Sequence, residues 1–469
     1  MNKFALKYNG IFFLIISFFS FLNIIYCYYF NIFLSVNTYT WTFFTTLVIG
    51  LFLVFYKKIE FKKISIYEKI ISVLSGYLIL PVFISIPYYF NAYKISIINC
   101  YFESISGFTS TGFSILENIN HVDQSLIIWR STSQWIGGIY FLFSILLLID
   151  IFDDNLKKSF TNFLSLNSKE IIKQAFKIII IYSILTFFIF LSLKILDLRT
   201  FDAFNLSMTI ISSGGFLPVN NFELLFKTDI SKITLSVLML SSYFSLFFIY
   251  NLINFKKKNF NYFSEDFNLL IYLSIIIAVF FVLFNSQNNF LDILVSICSS
   301  VSNLGISFNN ISNDLTFVFL ILVIIGGSFF STSSGLRVIK VLSLIKFSAN
   351  NVLSHTKPNQ IYLNKVSLTN TTTEKEDINK FFLAIIIFFI SLIIVTSVLT
   401  ISNISFENSF KLGILTLMNT VNSEMYQLSN FDFYNLSFLT KISLIVFMII
   451  GRIELLSILI LFKKFLFKN

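Results

Sequence analysis

The chain has 469 residues, of which 56% are hydrophobic and only 12% are charged, with a mean hydropathy of +0.81. Soluble globular proteins carry roughly 25% charged residues, so this composition excludes a soluble enzyme. At about 20 apolar residues per crossing, the chain has room for about ten membrane-spanning helices with short connections.

The net charge of +10 arises largely from lysines that fall in blocks at alternate ends of the apolar runs. This distribution follows the positive-inside rule, so it indicates a membrane protein and no nucleic-acid partner. We predict that both termini are cytoplasmic and that acidic residues on the opposite side meet incoming cations. The lysines are Lys57, Lys58, Lys62, Lys63, Lys157, Lys158, Lys169, Lys173, Lys256, Lys257, Lys258, Lys463, Lys464 and Lys468, and the acidic residues are Glu103, Glu117, Asp123, Asp202, Asp292, Asp314 and Glu407.

Continuous apolar runs predict ten spans in chain order. The first run is longer than the apolar core of a typical signal peptide, and no small-residue cleavage site follows it, so we expect it to be retained. The predicted spans cover residues 11–35, 41–56, 68–90, 126–149, 174–196, 231–254, 268–285, 315–346, 380–402 and 438–466.

A second kind of segment follows spans three, five, seven and nine. Each has about ten semi-apolar residues and then a cluster of small polar residues, and it is too short to cross a membrane. The four segments recur about every hundred residues, which indicates an internal repeat. They cover residues 102–113, 204–216, 295–305 and 410–422.

Non-helical backbone at membrane depth is tolerated only where it is buried in protein or lines a water-filled cavity, so four such loops indicate a pore. Small residues let the backbone turn its carbonyls inward, and rings of carbonyl oxygens can replace the hydration shell of a monovalent cation. The predicted fold is an all-α integral membrane protein with an N-terminal helix pair and four helix–pore-loop–helix repeats around a central pore. The pair covers residues 1–67, and the repeats cover 68–150, 151–257, 258–350 and 351–469.

Span eight contains the polar and glycine-rich stretch 326–337, which predicts a break in its helix. Below the loops, such a break would put a flexible segment across the ion path, with Gly327 and Gly335 as hinges. The alternative interpretation is a simple kink.

Besides Arg337 in the polar stretch of span eight, two arginines lie within predicted spans, where a charge is expensive unless it is paired or faces water. Arg452 is interpreted either as a positive group beside the pore or as one half of a structural salt bridge, with Glu454 or with an acid on a neighbouring helix. Arg130, which lies between two tryptophans, is interpreted as an interfacial anchor. The Gly137-Gly138 pair is interpreted as a close helix-packing point.

These motifs resemble the Trk/Ktr/HKT superfamily of potassium uptake proteins, most closely its TrkH/TrkG branch, whose ion-conducting subunit has an extra N-terminal helix pair. The resemblance covers nearly the whole chain. The first loop, Phe102-Glu-Ser-Ile-Ser-Gly-Phe-Thr-Ser-Thr-Gly112, is similar to the family's first filter, and Gly451-Arg-Ile-Glu454 is similar to its last-helix motif.

The resemblance implies a filter that binds K⁺, an intramembrane gating loop, and a positive residue, Arg452, below the filter. The implied filter residues are Thr109, Ser110, Thr111, Gly112, Ser213, Gly214, Gly215, Asn303, Leu304, Gly305, Thr420, Val421 and Asn422, and the implied gating-loop residues are Gly326, Gly327, Ser331, Thr332, Gly335 and Arg337.

The resemblance also implies a homodimer in the plasma membrane of a bacterial cell, the inner membrane, with one pore per subunit. A cytoplasmic nucleotide-binding subunit of the TrkA or KtrA type is the implied regulator. The implied transported ion is K⁺, with Na⁺ as the alternative, and no covalently bound cofactor is expected.

The chain departs from the family in two places. By an ungapped fit, Asn422 stands where the fourth loop should have glycine, and a one-residue shift would put Ser423 there. Asparagine tolerates left-handed φ, so we expect the backbone path to survive, while selectivity over sodium stays open. The gating loop has other residues at three glycine positions and arginine at a lysine position, which predicts a stiffer loop. These residues are Phe330, Ser333, Ser334 and Arg337.

The sequence therefore predicts uptake of potassium down its electrochemical gradient, without covalent chemistry. One alternative is a sodium-permeable or poorly selective cation pathway, and another is a non-conducting membrane sensor or scaffold. A multispanning lipid-modifying enzyme is disfavoured, because both histidines, His121 and His355, lie outside the predicted spans.

Overall fold

The computed structural model describes residues 3–56, 65–91, 93–148, 171–253, 264–284, 290–308, 315–356, 375–429 and 431–453, which are mostly helical. The helices are α1 Lys3–Tyr29, α2 Phe33–Phe55, α3 Ile66–Ile84, α4 Ile86–Tyr89, α5 Ile97–Phe108, α6 Gln124–Leu148, α7 Ile171–Ile195, α8 Thr200–Ser212, α9 Asp229–Met239, α10 Leu246–Ile253, α11 Ser264–Phe284, α12 Phe290–Val301, α13 Thr316–Ile324, α14 Val338–Thr356, α15 Lys375–Ile401, α16 Phe406–Leu417 and α17 Phe438–Ile453.

Seven helical segments within the described residues are long and apolar enough to cross a membrane. They overlap predicted spans one to five, seven and nine, although the turn between the first two lies at residues 30–32 and the predicted gap at 36–40 falls inside α2. The protein is an all-α membrane protein, as its composition predicted. The segments are Leu6–Tyr29, Phe33–Phe55, Ile66–Tyr89, Gln124–Leu148, Phe176–Ile195, Glu265–Leu283 and Ile378–Ile401.

The N-terminal helices α1 and α2 form an antiparallel pair that packs on α3 and α6. Hydrogen bonds join the two helices, since the Ser20 hydroxyl donates to the Tyr39 carbonyl at 2.8 Å and lies 2.9 Å from the Thr42 hydroxyl. Asn9 donates to Ser75 on α3 at 3.0 Å. Hydrogen bonds between helices satisfy groups that lipid cannot, so the pair is fixed to the first repeat.

Helix α6 is the central helix of the described part, because its membrane-spanning window is buried along its whole length. It packs against the short helices α5 and α8. A Cβ built on Gly137 would lie 1.9 Å from the Phe108 carbonyl oxygen, and one on Gly138 would lie 2.4 Å from the Tyr182 hydroxyl. The predicted packing role of this glycine pair is confirmed.

Predicted span six is not one continuous helix. Helix α9 ends at Met239, a 3₁₀ turn covers Leu240–Ser242, and α10 begins at Leu246. The Asp266 carboxylate accepts the backbone amide of Ser245 at 2.9 Å and its hydroxyl at 2.7 Å. A carboxylate from α11 thus satisfies the broken end, which periodicity along the span could not reveal.

Predicted span eight is broken, as its small polar residues indicated. Helix α13 ends at Ile324, and α14 begins at Val338. Between them, strand β1 (Ile325–Gly326) pairs in parallel with strand β2 (Leu336–Arg337). The break is an ordered loop that closes on itself, and not a simple kink.

Two predicted boundaries fall inside helices: the one after residue 67 lies within α3, and the one after residue 350 lies within α14. The lysines of blocks 57–63, 157–169, 256–258 and 463–468, the acidic residues Asp314 and Glu454, and the predicted tenth span beyond residue 453 lie outside the described residues.

The glycine contact between α6 and α5 gives a test of the packing. We expect Gly137→Ala to destabilise the protein by about 1–3 kcal/mol or more, because the added methyl group would clash with backbone atoms of Phe108, which move less easily than a side chain. The measurement is the thermal unfolding midpoint of purified protein in detergent.

Gly413→Ala on α16 is the matched control. Its Cβ would lie 3.1 Å from flexible side-chain atoms of Leu392 and Thr396, and alanine favours a helix over glycine by about 0.8–1.0 kcal/mol. Equal losses of stability in the two variants would contradict the predicted backbone clash.

Candidate functional site

Each of the four short helices α5, α8, α12 and α16 ends in a loop of similar backbone geometry. We name these loops 1 (residues 109–113), 2 (213–216), 3 (302–306) and 4 (418–422). In each loop one backbone amide donates back to a carbonyl in the last turn of the helix, which defines equivalent residues. The bonds are Thr111 to Ser106 at 2.9 Å, Gly214 to Thr209 at 2.9 Å, Leu304 to Ser299 at 3.0 Å and Thr420 to Leu415 at 3.0 Å.

The residue before each of these amides has left-handed backbone, and the residue after it has positive φ in three loops. The left-handed residues are Ser110 (φ 56°), Ser213 (59°), Asn303 (59°) and Asn419 (49°), and the residues that follow the amide are Gly112 (83°), Gly215 (74°) and Gly305 (76°).

In loop 4 the residue after the amide is Val421, whose φ is not positive. The ungapped fit is therefore wrong by one residue: Val421, and neither Asn422 nor Ser423, stands at the fourth glycine position. A β-branched residue disfavours positive φ, which accounts for the different conformation. Sequence reasoning also missed Asn419. A signal was present, because aligning Thr420 with Thr111 places Asn419 opposite Ser110 and Val421 opposite Gly112.

Hydrogen bonds between loops bring these residues together. They join loop 4 to loop 1, loop 3 to loop 4, and loop 2 to loop 3, so unsatisfied groups of one loop are paired by the next. The bonds are Asn419 Nδ2 to Thr111 Oγ1 at 2.9 Å, Asn303 Nδ2 to Thr420 Oγ1 at 3.2 Å, and Ser213 Oγ to the Ser302 carbonyl oxygen.

Loop 2 is also held by Gln134 of α6. The Gln134 side-chain amide donates to the Gly214 carbonyl at 2.5 Å and accepts from the Phe216 amide at 3.3 Å. A Cβ on Gly214 would lie 2.3 Å from the Gln134 side chain, so a larger residue there would displace Gln134 from its hydrogen bonds to loop 2.

A cavity of about 850 Å³ opens above the four loops. Its floor includes Gly112, Gly215, Gly305, Val421 and Asn422, and its walls carry the carboxyl groups of Glu117, Glu223, Glu424 and Asp432. Of these acids, sequence reasoning identified only Glu117, because the others lie in loops whose approach to the cavity depends on the tertiary fold.

The carboxyl group of Asp432 has a lowered pKa. Partial burial acts to raise this pKa, but hydrogen bonds from the Asn435 side chain and from the backbone amides of Asn435 and Tyr434 outweigh it. These bonds stabilise the charged form, so Asp432 keeps a negative charge at the cavity.

Arg130 is not an interfacial anchor, because its side chain is 2% exposed and pairs with buried Glu103 at 3.0 Å. Glu103 also accepts from the Ile115 amide at 2.8 Å and from Ser114 at 3.0 Å. The guanidinium carbon of Arg130 lies 4.1 Å from the centre of the Phe216 ring. The pair therefore joins the segment after loop 1 to loop 2, and Glu103 does not face incoming cations as predicted.

Two other predicted external acids, Asp202 and Asp292, are also buried, in the first turns of α8 and α12. Asp292 accepts from Lys232 at 2.5 Å. Glu407, in the first turn of α16, pairs with Lys411. A negative group at a helix N-terminus complements the helix dipole, whose negative end points at the loop.

The interrupted segment of span eight (residues 325–337) lies against the loops. Thr332 donates to the Ile211 carbonyl of α8 at 2.7 Å, and Ser334 donates to Asn419 at 3.3 Å. Arg337 is buried and donates to the Ser328 carbonyl at 2.7 Å and to the Ser333 carbonyl at 3.1 Å.

The same segment binds the break in span six. The backbone amides of Ser328 and Ser333 donate to the carbonyls of Tyr243 at 2.9 Å and Ser242 at 3.0 Å. A Cβ on Gly327 would lie 2.2 Å from the Tyr243 carbonyl oxygen, and one on Gly326 would lie 2.0 Å from the Ser334 carbonyl oxygen. Two broken helices thus satisfy each other's backbone groups, a pairing that the sequence did not reveal.

Arg452 connects the interrupted segment to loop 1. Its guanidinium group donates to Ser334 at 2.5 Å and to Ser110 at 3.4 Å, and it lies 4.0 Å from the centre of the Phe141 ring. Within the described residues no carboxylate forms an ion pair with it. These contacts put a positive group beside the loops, while Glu454, the named partner of the structural salt bridge, lies outside the described residues.

Comparison with known proteins agrees with this architecture. The chain is 23% identical over 448 residues to the Trk system potassium uptake protein TrkH of Salmonella typhimurium, covering 91% of each chain, and 22% identical to TrkG of Escherichia coli over 80% of each. An uncharacterised cation transporter of Methanocaldococcus jannaschii is 25% identical over 87% of this chain and 85% of its own. No protein-family model matches.

The crystal structure of the potassium transporter TrkH from Vibrio parahaemolyticus superposes with a TM-score of 0.81, covering 97% of this chain and 98% of that one at 19% identity. The chain is a TrkH/TrkG-like membrane protein. At this identity the superposition shows the shared fold, so the loops and contacts described above are argued from this chain's own residues.

The buried pair in this TrkH/TrkG-like chain gives a test of the site's construction. We expect Glu103→Gln to destabilise the protein by about 3–5 kcal/mol, because the buried guanidinium group of Arg130 loses its counter-charge. The measurement is the thermal unfolding midpoint in detergent. Glu117→Gln is the control, since Glu117 is exposed and an exposed carboxylate contributes little to stability, so this change should alter the midpoint little. A midpoint unchanged by Glu103→Gln would contradict the importance of the pair.

Proposed function

We propose that this chain transports potassium across the membrane, with the ions passing between its four loops. Relatives along most of its length are named potassium uptake proteins, and their chemistry is ion transport and not enzymatic catalysis. The observation that carries the proposal is the set of four matching helix-and-loop units, which meet at the floor of a cavity with acidic walls.

The geometry supports this function physically. Each short helix presents the negative end of its dipole to a loop, and backbone carbonyl oxygens are the ligands that replace water around a monovalent cation. In this proposal the filter is formed by equivalent residues of the four loops, with Asn419 added to those expected from the sequence. The residues are Thr109, Ser110, Thr111, Gly112, Ser213, Gly214, Gly215, Asn303, Leu304, Gly305, Asn419, Thr420 and Val421.

The interrupted segment of span eight is the proposed gate. It is held to the loops through Thr332 and Ser334 and to span six through Ser328 and Ser333. Gly326, Gly327 and Gly335 permit its close turns, while Ser331 and Arg337 hold it closed from within. Arg452 donates hydrogen bonds both to the gate and to loop 1, so a movement of the gate changes the contacts of the filter.

Uptake needs no chemical energy at this subunit. A membrane potential that is negative inside supplies about 2.3 kcal/mol per charge per 100 mV. The proposal includes cytoplasmic termini, assembly as a homodimer, and control by a cytoplasmic nucleotide-binding subunit of the TrkA or KtrA type, as the family resemblance implies.

The test of the proposed function is cation flux into proteoliposomes that contain the purified chain. We expect K⁺ flux above that of empty liposomes and above Na⁺ flux under the same gradient and voltage. Equal K⁺ and Na⁺ flux would assign the chain to the poorly selective cation pathways. Flux of neither ion, from protein that remains folded, would contradict transport.

The gate is tested in the same assay. Deleting residues 329–333 removes the bond of Thr332 to α8, and Phe330→Ala removes a ring that stacks on Phe247 at 5.1 Å. We expect both changes to raise basal K⁺ flux several-fold, because the closed segment loses contacts that hold it. Phe317→Ala, at an exposed position of α13, is the control. Unchanged flux in both folded variants would refute the gating role.

A further inference from the structure

Val421 differs from its equivalents in the other three loops in residue type and in backbone conformation. Gly112, Gly215 and Gly305 have positive φ, and Val421 does not. All four line the floor of the cavity, where Val421 is half-buried.

The Val421 side chain reaches all three glycines. A Cβ built on Gly112 would lie 2.9 Å from Val421 Cβ, one on Gly215 would lie 2.8 Å from it, and one on Gly305 would lie 2.8 Å from Val421 Cγ1. These glycines belong to three different loops around the floor. A side chain that is close to all of them lies in the middle of the ring, on the route between the loops.

The conformation of loop 4 breaks a second regularity. Each glycine faces a backbone carbonyl oxygen of the next loop. In loops 2 and 3 this oxygen belongs to the residue before the glycine, Gly214 or Leu304. In loop 4 it belongs to Val421 itself, the residue at the glycine position. The distances from a Cβ built on the glycine are 2.6 Å from Gly112 to the Gly214 oxygen, 2.6 Å from Gly215 to the Leu304 oxygen, and 2.5 Å from Gly305 to the Val421 oxygen.

We propose that the Val421 side chain is an apolar constriction that closes the ring formed by Gly112, Gly215 and Gly305, and that it limits cation passage through this chain. This inference rests on the proposed function, because it assumes that ions pass between the four loops. It assigns to Val421 a role in permeation that a fourth glycine would not have.

The physical basis is the cost of moving a cation past an apolar group. An isopropyl group offers no ligand to an ion that must leave its water shell, and apolar constrictions close pores by excluding water. Three loops present backbone at the ring, and the fourth presents methyl groups. Passage therefore requires loop 4 to move the Val421 side chain off the route.

The experiment is K⁺ and Na⁺ flux into proteoliposomes with wild-type protein, Val421→Gly and Val421→Ala. We expect Val421→Gly to raise K⁺ flux by at least about tenfold, because the constriction is removed and glycine can take the positive φ of its equivalents. Val421→Ala should give an intermediate flux, and it also serves if the glycine variant does not fold. Val279→Ala, at an exposed valine of α11 outside the four loops and their short helices, is the matched control and should leave the flux unchanged.

The outcomes separate this inference from the proposed function. A graded increase from wild type through Val421→Ala to Val421→Gly supports the constriction, and a larger gain for K⁺ than for Na⁺ indicates that the ring then selects potassium. Equal K⁺ flux in all three proteins, above that of empty liposomes, overturns the role of Val421 but still supports the proposed transport function. If the folded variants and the wild type all lack flux, both proposals fail, because Val421→Gly removes the proposed constriction and ions still do not pass.

Discussion

Backbone amides and carbonyls at membrane depth have no water to bond, and this constraint shapes the centre of the protein. The chain leaves helical conformation in four loops and in two of the predicted spans, and in each case a neighbouring non-helical segment supplies hydrogen-bond partners. Loop 4 pairs with loop 1 through Asn419, and the interrupted segment of span eight pairs with the turn at Ser242 and Tyr243. Each of these segments thus depends on its neighbours for hydrogen-bond partners.

Buried charge reinforces this unit. The Glu103–Arg130 pair joins the segment after loop 1 to loop 2, and Arg452 joins loop 1 to the interrupted segment. A buried charge that loses its partners is strongly unfavourable, so each arginine resists separation of the elements it connects. Other carboxyl groups, including those of Glu424 and Asp432, line the cavity wall. The charges that hold the loops together and the charges on the cavity wall are thus separate sets.

The four loops are not identical, and the irregularity lies at the ring formed by Gly112, Gly215, Gly305 and Val421. Three loops share a glycine with positive φ, whereas Val421 in loop 4 keeps an ordinary conformation and directs its side chain toward the three glycines. A single β-branched residue therefore changes both the direction of a carbonyl and the space at the ring. Because the other three loops share one backbone conformation, the difference in loop 4 can be assigned to Val421.

The sequence by itself determined the class of the protein, most of its spans, the four loops and the break in span eight, because apolar length and clusters of small residues act locally. It could not determine the break in span six, which depends on Asp266 from the following helix. It placed Arg130 at an interface, whereas the fold buries it against Glu103. The register of loop 4 was also decided by the tertiary structure, because equivalence there follows from hydrogen bonds and φ and not from residue counts. Contacts between segments distant in the chain decide such features, and a single sequence does not record them.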